Sequence, residues 1–312
     1  ERLFPFEWTA GQRAAVADVA TDMASETPMN RLLQGDVGSG KTVVAVYAML
    51  VCVACGYQAA LMAPTEILAR QHAETLSGLL RASRVRYRLL TGSLTAKERE
   101  LALAQIAAGE IDLVIGTHAI VQEDVRFAKL GLLVVDEQHK FGVRQRAALR
   151  RGNQAPHYLV MTATPIPRTI SMTLFGDLDV TTLREMPPGR QEVRTYVVTP
   201  AGQARWWHFV REKLRAGRQA FVVAPLVDES ENIEAGSVAE AFERLTNGEL
   251  AAFRLGVVHG RLSPAEKEQA MADFRSGRTQ VLVSTSVIEV GVDVPNASLM
   301  TIDSAERFGL AQ

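Results

Sequence analysis

The sequence predicts an α/β protein of two domains, each a parallel β-sheet flanked by helices. Short aliphatic or β-branched runs alternate along the chain with longer helical patterns, which is typical of parallel sheets. The 312 residues are enough for two domains of ~150 residues. Residues 185–190 place two prolines and a glycine between periodic blocks. We therefore predict a first domain over residues 1–186 and a second over residues 187–312.

Strand patterns recur through both domains, and helical patterns such as Ile67–Leu80 separate them. The runs predicted as strands in the first domain are Arg31–Gln34, Ala59–Ala63, Arg86–Leu90, Asp112–Gly116, Leu132–Asp136 and Tyr158–Thr162. Those in the second domain are Arg194–Val198, Gln219–Ala224, Arg254–Val258, Gln280–Ser284 and Ser298–Ile302. No repeat of short fixed period is visible, which excludes solenoid proteins.

Composition excludes several classes of protein. Hydrophobic residues make up 47% of the chain and charged residues 22%, which excludes disordered and coiled-coil proteins. The longest apolar run, Val43–Cys55, is shorter than the ~18 residues that cross a bilayer, so we predict a soluble, cytoplasmic protein with no membrane partner. The 34 basic and 35 acidic residues balance, so any site for a polyanion must be local. Cys52 and Cys55 are predicted to be small buried residues of a core helix.

A phosphate-binding loop is the clearest motif of the first domain. Residues 35–42, Gly-Asp-Val-Gly-Ser-Gly-Lys-Thr, fit the pattern G-x-x-x-x-G-K-[ST] between a predicted strand and a predicted helix. Glycines let backbone N–H groups surround phosphates, and the helix N-terminus adds a favourable dipole. Lys41 is expected to reach the β- and γ-phosphates of ATP, and Thr42 to ligate Mg²⁺. The candidate nucleotide-binding residues of the loop are Gly35, Gly38, Ser39, Gly40, Lys41 and Thr42.

An acidic pair ends another aliphatic strand. The run Leu132–Val135 leads directly into Asp136 and Glu137. Asp136 is expected to hold Mg²⁺ through water, and Glu137 to orient or deprotonate the attacking water. An acidic pair at a strand end is often only solvated, but the phosphate loop in the same chain favours the catalytic interpretation. We therefore predict Glu137, Lys41 and Asp136 as catalytic residues.

Residues 136–139, Asp-Glu-Gln-His, resemble the Asp-Glu-x-His box of superfamily 2 helicases. Further blocks, taken with this box, resemble the helicase core of the RecG family of bacterial branch-migrating DNA helicases. These blocks are Ala63–Gln71, Gly116–Ile120, Thr162–Thr169, Pro187–Arg190, Glu289–Leu299 and Phe308–Gln312. The related transcription-repair coupling translocases share two of the blocks, but they usually carry an aromatic residue in place of Ser39 and Glu in place of Gln138.

The resemblance implies two RecA-like domains with ATP in the cleft between them, so that hydrolysis changes their separation. Gln12 is expected to read adenine, whereas a simple helix start capped by Thr9 is the alternative. Gly291 and Asp293 are expected at the cleft. The residues expected to couple the phosphate site to DNA are Gln138, His139, Thr162, Ala163 and Thr164. For the last three, a capped turn is the alternative.

The resemblance also implies that loops at strand ends bind the DNA backbone, because open parallel sheets bind ligands at the carboxyl ends of their strands. Hydroxyls, backbone amides and one arginine suit phosphates, which position DNA without reading its sequence. An ordinary loop histidine is the alternative for His118, and a helix capped by Ser263 is compatible with the loop before it. The candidate DNA-binding residues are Pro64, Thr65, Arg70, Gly92, Thr117, His118, Gly260 and Arg261.

The family's arginine-finger block lies beyond Gln312 and its branch-gripping domain before Glu1, so we expect this chain to be the core of a longer protein with a truncated second domain. Such an arginine contributes ~10³ or more in rate, so we expect weak hydrolysis by the chain alone. The implied function is ATP- and Mg²⁺-dependent fork reversal and branch migration on forks and Holliday junctions. A transcription-repair translocase core and a nucleotide-binding module without motor activity are the alternatives. A P-loop kinase or transporter ATPase does not account for the second domain.

Overall fold

The chain divides into two structural units, residues 1–191 and 192–312. The computed structural model describes residue 4 and residues 7–81, 83–136, 155–163, 178–185, 193–224, 231–285 and 294–307. Each unit contains a parallel β-sheet with helices packed against it, so the predicted α/β class is confirmed. The predicted boundary between residues 186 and 187 lies outside the described residues and stays a prediction.

A seven-stranded parallel sheet forms the first unit. Its strands are β1 (Asn30–Gly35), β2 (Gln58–Met62), β3 (Tyr87–Leu90), β4 (Leu113–Gly116), β5 (Leu130–Asp136), β6 (His157–Thr162) and β7 (Asp179–Leu183). They lie in the order β3-β4-β2-β5-β6-β1-β7. All of β2 and β4 and the run Leu132–Val135 are buried. Strands covered on both faces need apolar side chains on both, which explains the continuous aliphatic runs of the sequence.

The helices of the first unit begin at recognisable signals. They are α1 (Ala10–Met23), α2 (Lys41–Ala54), α3 (Glu66–Leu80) and α4 (Ala96–Ala107). Thr9, Thr65 and Thr95 cap α1, α3 and α4, because each threonine side chain accepts a backbone N–H of the first turn. Helix α2 differs, since its N-cap is Gly40 and no described side chain caps it. A helix start without a side-chain cap is a common place for an anion to bind, because the backbone N–H groups of the first turn point towards it.

A four-stranded parallel sheet forms the second unit. Its strands are β8 (Gln219–Val223), β9 (Leu255–Val258), β10 (Val281–Ser284) and β11 (Ala297–Ile302), in the order β11-β8-β10-β9. Its helices are α5 (Gln203–Arg215), α6 (Glu231–Asn247) and α7 (Pro264–Arg275). Trp207, Val210 and Leu214 of α5 pack into the core beside Val281 and Val283 of β10.

The two units contain the same local structure at corresponding places, a short loop followed by a capped helix. Corresponding residues of the two loops and caps are separated by the same number of positions in the sequence. Thr95 and Glu98 form a capping box at the start of α4, and Ser263 and Glu266 form the corresponding box at the start of α7. The loop before each box has the same frame, Gly-Ser-Leu-Thr at 92–95 and Gly-Arg-Leu-Ser at 260–263. This correspondence escapes a search for short repeats, because the period is as long as a domain.

A buried glutamine also begins a strand in each unit. Nε2 of Gln58 donates to the backbone carbonyl of Ile106 at 3.0 Å and to that of Ile111 at 2.8 Å. Nε2 of Gln219 donates to the corresponding carbonyls of Phe274 and Thr279. Each amide thereby connects the strand that it begins, β2 or β8, to the last turn of a helix and to the start of the strand that follows that helix. It also provides hydrogen bonds to buried carbonyls that would otherwise be unpaired.

One strand prediction was wrong, and one strand of the structure was not predicted. Arg194–Val198 has no strand pairing, and its Val197 side chain is 96% exposed. An apolar alternation specifies a strand only where a partner is available, and no described strand lies beside this segment. Strand β7 was not predicted, because Asp179, Thr181 and Thr182 interrupt any aliphatic run. It lies at the edge of the sheet beside β1, where polar side chains are tolerated.

The cysteine prediction was half right. Cys52 is buried in α2, where burial raises the pKa of its thiol to about 12. Cys55, in contrast, is exposed and forms the C-cap of α2, because the helix ends one residue before it. Among the described residues, no helix combines the length and the apolar character needed to cross a membrane.

Candidate functional site

The predicted phosphate loop connects β1 to α2 along a tight path. Gly38 and Gly40 have φ angles of 80° and 87°, a region that favours glycine. A Cβ at Gly35 would lie 2.6 Å from Oγ of Ser39, whose side chain is 1% exposed. Together with the uncapped start of α2, this path fits a cradle of backbone N–H groups around phosphates.

Lys41 is folded onto the start of this loop. Its Nζ donates to the backbone carbonyl of Gly35 at 2.6 Å and to that of Asp36 at 3.1 Å. The ammonium group thus bonds to neutral carbonyls, which charged phosphate oxygens would replace as stronger partners. Thr42 follows in the first turn of α2 and is half-buried.

Gln12 packs against the phosphate loop. Its side chain is 2% exposed, and Nε2 donates to the carbonyl of Ser39 at 3.0 Å. Its Oε1 accepts the backbone N–H of Thr9 at 3.0 Å, and Oγ1 of Thr9 accepts the backbone N–H of Gln12 at 3.1 Å. The capping interpretation of Thr9 therefore describes this geometry, and a contact between Gln12 and adenine stays a prediction.

Asp136 is the last residue of β5, and its side chain is 13% exposed. Nε2 of His72 donates to its Oδ2 at 2.7 Å, since an ionised carboxylate only accepts hydrogen bonds. Carboxylate and hydroxyl oxygens such as those of Asp136 and Thr42 are ligands that Mg²⁺ prefers. Mg²⁺ usually takes only one or two protein carboxylates beside waters and phosphates. The described ranges contain no group of three or more His, Cys, Asp or Glu residues that could hold a metal ion.

The register of the sheet places the start of the phosphate loop and Asp136 at the same edge of the sheet. Asp136 of β5 pairs with Met161 of β6, and Gln34 of β1 pairs with Thr162 at the end of β6. Because β6 lies between β1 and β5, their carboxyl ends are roughly 10 Å apart at ~4.8 Å per strand. Thr162, which is buried, and Ala163 lie between them. The ends of β5, β6 and β1 are called the phosphate-loop half of the sheet edge.

The predicted DNA-binding residues of the first unit follow the other strands of the same edge. The ends of β3, β4 and β2, which are neighbours in the sheet, are called the DNA half. Most of the predicted DNA-binding residues on the DNA half are exposed, which suits contact with a polyanion. Residues on this half are Pro64 and Thr65 after β2, Gly92 after β3, and Thr117 and His118 after β4.

Arg70 belongs to a polar cluster on the DNA half. Its Nη2 lies 3.5 Å from Oε1 of Glu66 and 3.3 Å from Oγ of Ser93, and Ser93 also donates to Glu66. Burial acts to raise the pKa of Glu66, but hydrogen bonds from Ser93 and Thr91 and the charge of Arg70 outweigh it, so the pKa is lowered. Glu66 therefore stays ionised and ties α3 to the loop after β3.

In the second unit, Gly260 and Arg261 lie in the exposed loop between β9 and α7. Ser263 caps α7, and Nζ of Lys267 donates to the carbonyl of Gly260 at 2.8 Å. The helix-start interpretation therefore holds. The exposed guanidinium of Arg261 is compatible with the predicted phosphate contact.

Some predicted site residues lie outside the described part of the chain. They are Glu137, Gln138, His139, Thr164, Gly291 and Asp293. Conversely, the sequence did not predict His72, although it directly follows the block Ala63–Gln71, which resembles a helicase motif. Its contact with Asp136 depends on β2 and β5 being neighbours, which sequence order does not reveal.

Known proteins match the chain in both units. The sequence profile of the DEAD/DEAH box helicases matches residues 9–173, and that of the helicase conserved C-terminal domain matches residues 207–308. The ATP-dependent DNA helicase RecG of Synechocystis sp. is 50% identical, over 99% of this chain and 37% of that protein. RecG of Mycobacterium tuberculosis is 50% identical over 100% of this chain and 46% of that protein. The chain spans less than half the length of these curated relatives.

Solved structures show the same likeness. The structure of RecG bound to a three-way DNA junction has a TM-score of 0.82 at 46% identity, over 99% of this chain and 40% of that chain. Dbp5 of S. cerevisiae, bound to RNA and ADP BeF3, has a TM-score of 0.61 at 17% identity, over 94% of this chain and 78% of that chain, and shows a shared fold alone. The predicted helicase fold and the resemblance to the RecG family are confirmed.

Proposed function

This chain belongs to the DEAD/DEAH box helicase family, and we propose that it is the ATP-hydrolysing core of a DNA helicase acting on branched DNA in recombination and repair. One observation carries the proposal. The strands that precede the phosphate loop and Asp136 and the strands that precede the predicted DNA contacts of the first unit belong to one sheet, and the two groups meet where β2 and β5 are neighbours. Two sites built on one rigid sheet are held at a fixed separation, which suits an enzyme that links ATP hydrolysis to its contact with DNA.

The phosphate-loop half supplies the groups for phosphoryl transfer to water. Lys41 would leave the carbonyls of Gly35 and Asp36 and bind the β- and γ-phosphates. Thr42 and Asp136 would hold Mg²⁺, which when bound neutralises charge on these phosphates. Glu137, the next residue in the chain, would orient the attacking water and take up its proton.

The residues between the two sites would couple them. Thr162 is buried at the end of β6, between the phosphate loop and Asp136, and Ala163 and Thr164 follow it. Small hydroxyl side chains form hydrogen bonds in more than one arrangement, which suits a relay that responds to the state of the γ-phosphate. We assign the same coupling role to Gln138 and His139, on the resemblance alone.

Similarity to RecG supports branched DNA as the substrate. A RecG structure is described as bound to a three-way DNA junction, and this chain is 46% identical to it. Forks and Holliday junctions are therefore the proposed substrates, and fork reversal and branch migration the proposed reactions. We also propose a cytoplasmic location.

The test is steady-state ATP hydrolysis by the full-length protein with a model fork, with linear duplex DNA of equal length, and without DNA. We expect the fork to stimulate turnover most. Lys41→Ala serves as the control for hydrolysis at this site. Turnover that is the same with and without DNA would contradict the proposal and favour a nucleotide-binding module without motor activity.

A further inference from the structure

One hydrogen bond joins the two halves of the sheet edge. Strand β2 is the last strand of the DNA half, strand β5 is the last of the phosphate-loop half, and the two are neighbours. Helix α3 follows β2, and its His72 donates from Nε2 to Oδ2 of Asp136 at 2.7 Å. The two side chains are 12% and 13% exposed, so water competes little for this bond.

Helix α3 is held as one body between the two sites. Leu68, Ala69 and Leu76 bury its inner face, and Thr65 caps its first turn. Glu66 ties that first turn to Ser93 in the loop after β3. We expect a displacement at the beginning of α3 to be transmitted along the helix, because close-packed interiors are hardly compressible and transmit strain.

The bond to His72 limits how the carboxylate of Asp136 can turn. Oδ2 is engaged by Nε2, which leaves Oδ1 for Mg²⁺ or for a water bound to it. Groups that orient a metal ligand in this way typically change metal affinity or activity by ~10- to 100-fold when they are removed.

We propose that His72 is a positioning residue that fixes the magnesium carboxylate Asp136 and makes its position depend on the helix that carries the DNA contacts Thr65 and Arg70. This inference rests on the proposed function. In physical terms, α3 and the hydrogen bond from His72 to Asp136 would connect DNA bound at the first turn of α3 with Mg²⁺-nucleotide bound at Asp136.

A purely structural role predicts a different result. A buried carboxylate needs a donor, so loss of His72 would lower the free energy of unfolding in either case. Only a positioning role predicts that loss of His72 reduces the gain in nucleotide affinity caused by Mg²⁺ and leaves the affinity without Mg²⁺ unchanged. Glutamine at position 72 keeps an N–H donor at similar reach and is the variant that separates the two roles.

The experiment is calorimetric titration of the full-length protein with ADP, in excess Mg²⁺ and in EDTA. We expect His72→Ala to lose ~10-fold or more of the Mg²⁺-dependent gain in affinity, with its affinity in EDTA unchanged. His72→Gln should recover most of the gain. His208→Ala is the matched control, because His208 is a 63% exposed residue of α5 in the other unit.

A second measurement tests the link to DNA. The stimulation of ATP hydrolysis by a model fork should fall in His72→Ala and return in His72→Gln, at saturating Mg²⁺. A wild-type Mg²⁺ gain and wild-type stimulation in His72→Ala would overturn the inference, and so would a loss that His72→Gln does not restore. If the wild-type protein itself showed no Mg²⁺ gain, the proposed function would fail first.

Discussion

The side-chain amide of Gln12 lies against Gly40, so that a Cβ at Gly40 would be 2.0 Å from the amide nitrogen. The same nitrogen donates to the carbonyl of Ser39 at 3.0 Å. The path of the phosphate loop therefore depends on a residue of α1 as well as on its own glycines. A side chain at position 40 meets two obstacles, a positive φ and an occupied space.

Substitutions at two glycines distinguish the effect of the positive φ from that of the close contact. Gly56 has a φ of 81° with nothing within 4 Å of its Cβ position, whereas Gly40 has a φ of 87° and the contact with Gln12. We expect Gly56→Ala to lower the free energy of unfolding by ~1 kcal/mol, from backbone strain alone. Gly40→Ala should cost more and also weaken ADP binding. Urea denaturation measures the losses of stability, and calorimetric titration measures ADP binding. Equal losses of stability in Gly40→Ala and Gly56→Ala would show that the side chain of Gln12 moves aside at no cost in free energy.

Lys41→Ala is expected to abolish tight binding of ATP and ADP, because the lost charge would bind the β- and γ-phosphates in the proposed site. Calorimetric titration with each nucleotide measures the loss. Lys97→Ala, at an exposed position in the first turn of α4, is the matched control and should bind as the wild type does. Unchanged affinity in Lys41→Ala would remove the phosphate loop from the proposed site.

Glu137→Gln in the full-length protein should keep ATP binding and lose turnover, since the amide preserves the shape of the side chain and removes the base. Steady-state hydrolysis and nucleotide titration together distinguish the two effects. Glu100→Gln, an exposed position of α4, is the control for the substitution itself. Wild-type turnover in Glu137→Gln would assign the water to another residue.

The stability of the first unit should depend on pH through His157. Burial lowers the pKa of this histidine, against a weaker opposite effect of Asp22, and its Nδ1 accepts the backbone N–H of Met29 at 2.9 Å. The unfolded chain takes up the proton first as pH falls. The contribution of His157 is therefore complete above the ordinary pKa of ~6.5 and is lost as pH falls through the lower pKa of the folded protein.

We expect the melting temperature to fall less between about pH 7.5 and about pH 5.5 in His157→Asn than in the wild type. Asparagine accepts the same hydrogen bond but does not titrate. His208→Asn, at an exposed position, should behave as the wild type over this range. Identical pH dependence in all three proteins would exclude His157 as a cause of acid sensitivity.

Sequence patterns revealed the parts of the fold that depend on burial. Strands β2 and β5 were predicted because both faces of each are covered, which requires an uninterrupted aliphatic run. Edge strand β7 escaped prediction, since a single covered face tolerates Asp179 and Thr182. Arg194–Val198 has the composition of a strand, but pairing also needs a neighbour, and composition cannot supply one.

The candidate site divides in the same way. Gly35–Thr42 and Asp136 were predicted because each motif is contiguous and its chemistry requires those residue types. The bond between His72 and Asp136 could not be predicted, because it depends on the order of strands in the sheet. The packing of Gln12 against Gly40 also depends on tertiary structure, and the predicted contact of Gln12 with adenine stays a prediction.

The loops at 92–95 and 260–263 share a frame but differ in charge at one corresponding position. Ser93 in the first is neutral and donates to Glu66, whereas Arg261 in the second is an exposed cation. If each loop contacts a phosphate, only the side chain of Arg261 displaces a counterion, and each phosphate neutralised makes the slope of log affinity against log salt more negative by ~0.9. Ionic strength should therefore weaken the contact of the loop at 260–263 with DNA more than that of the loop at 92–95, so that salt would shift the balance between two loops of the same sequence pattern.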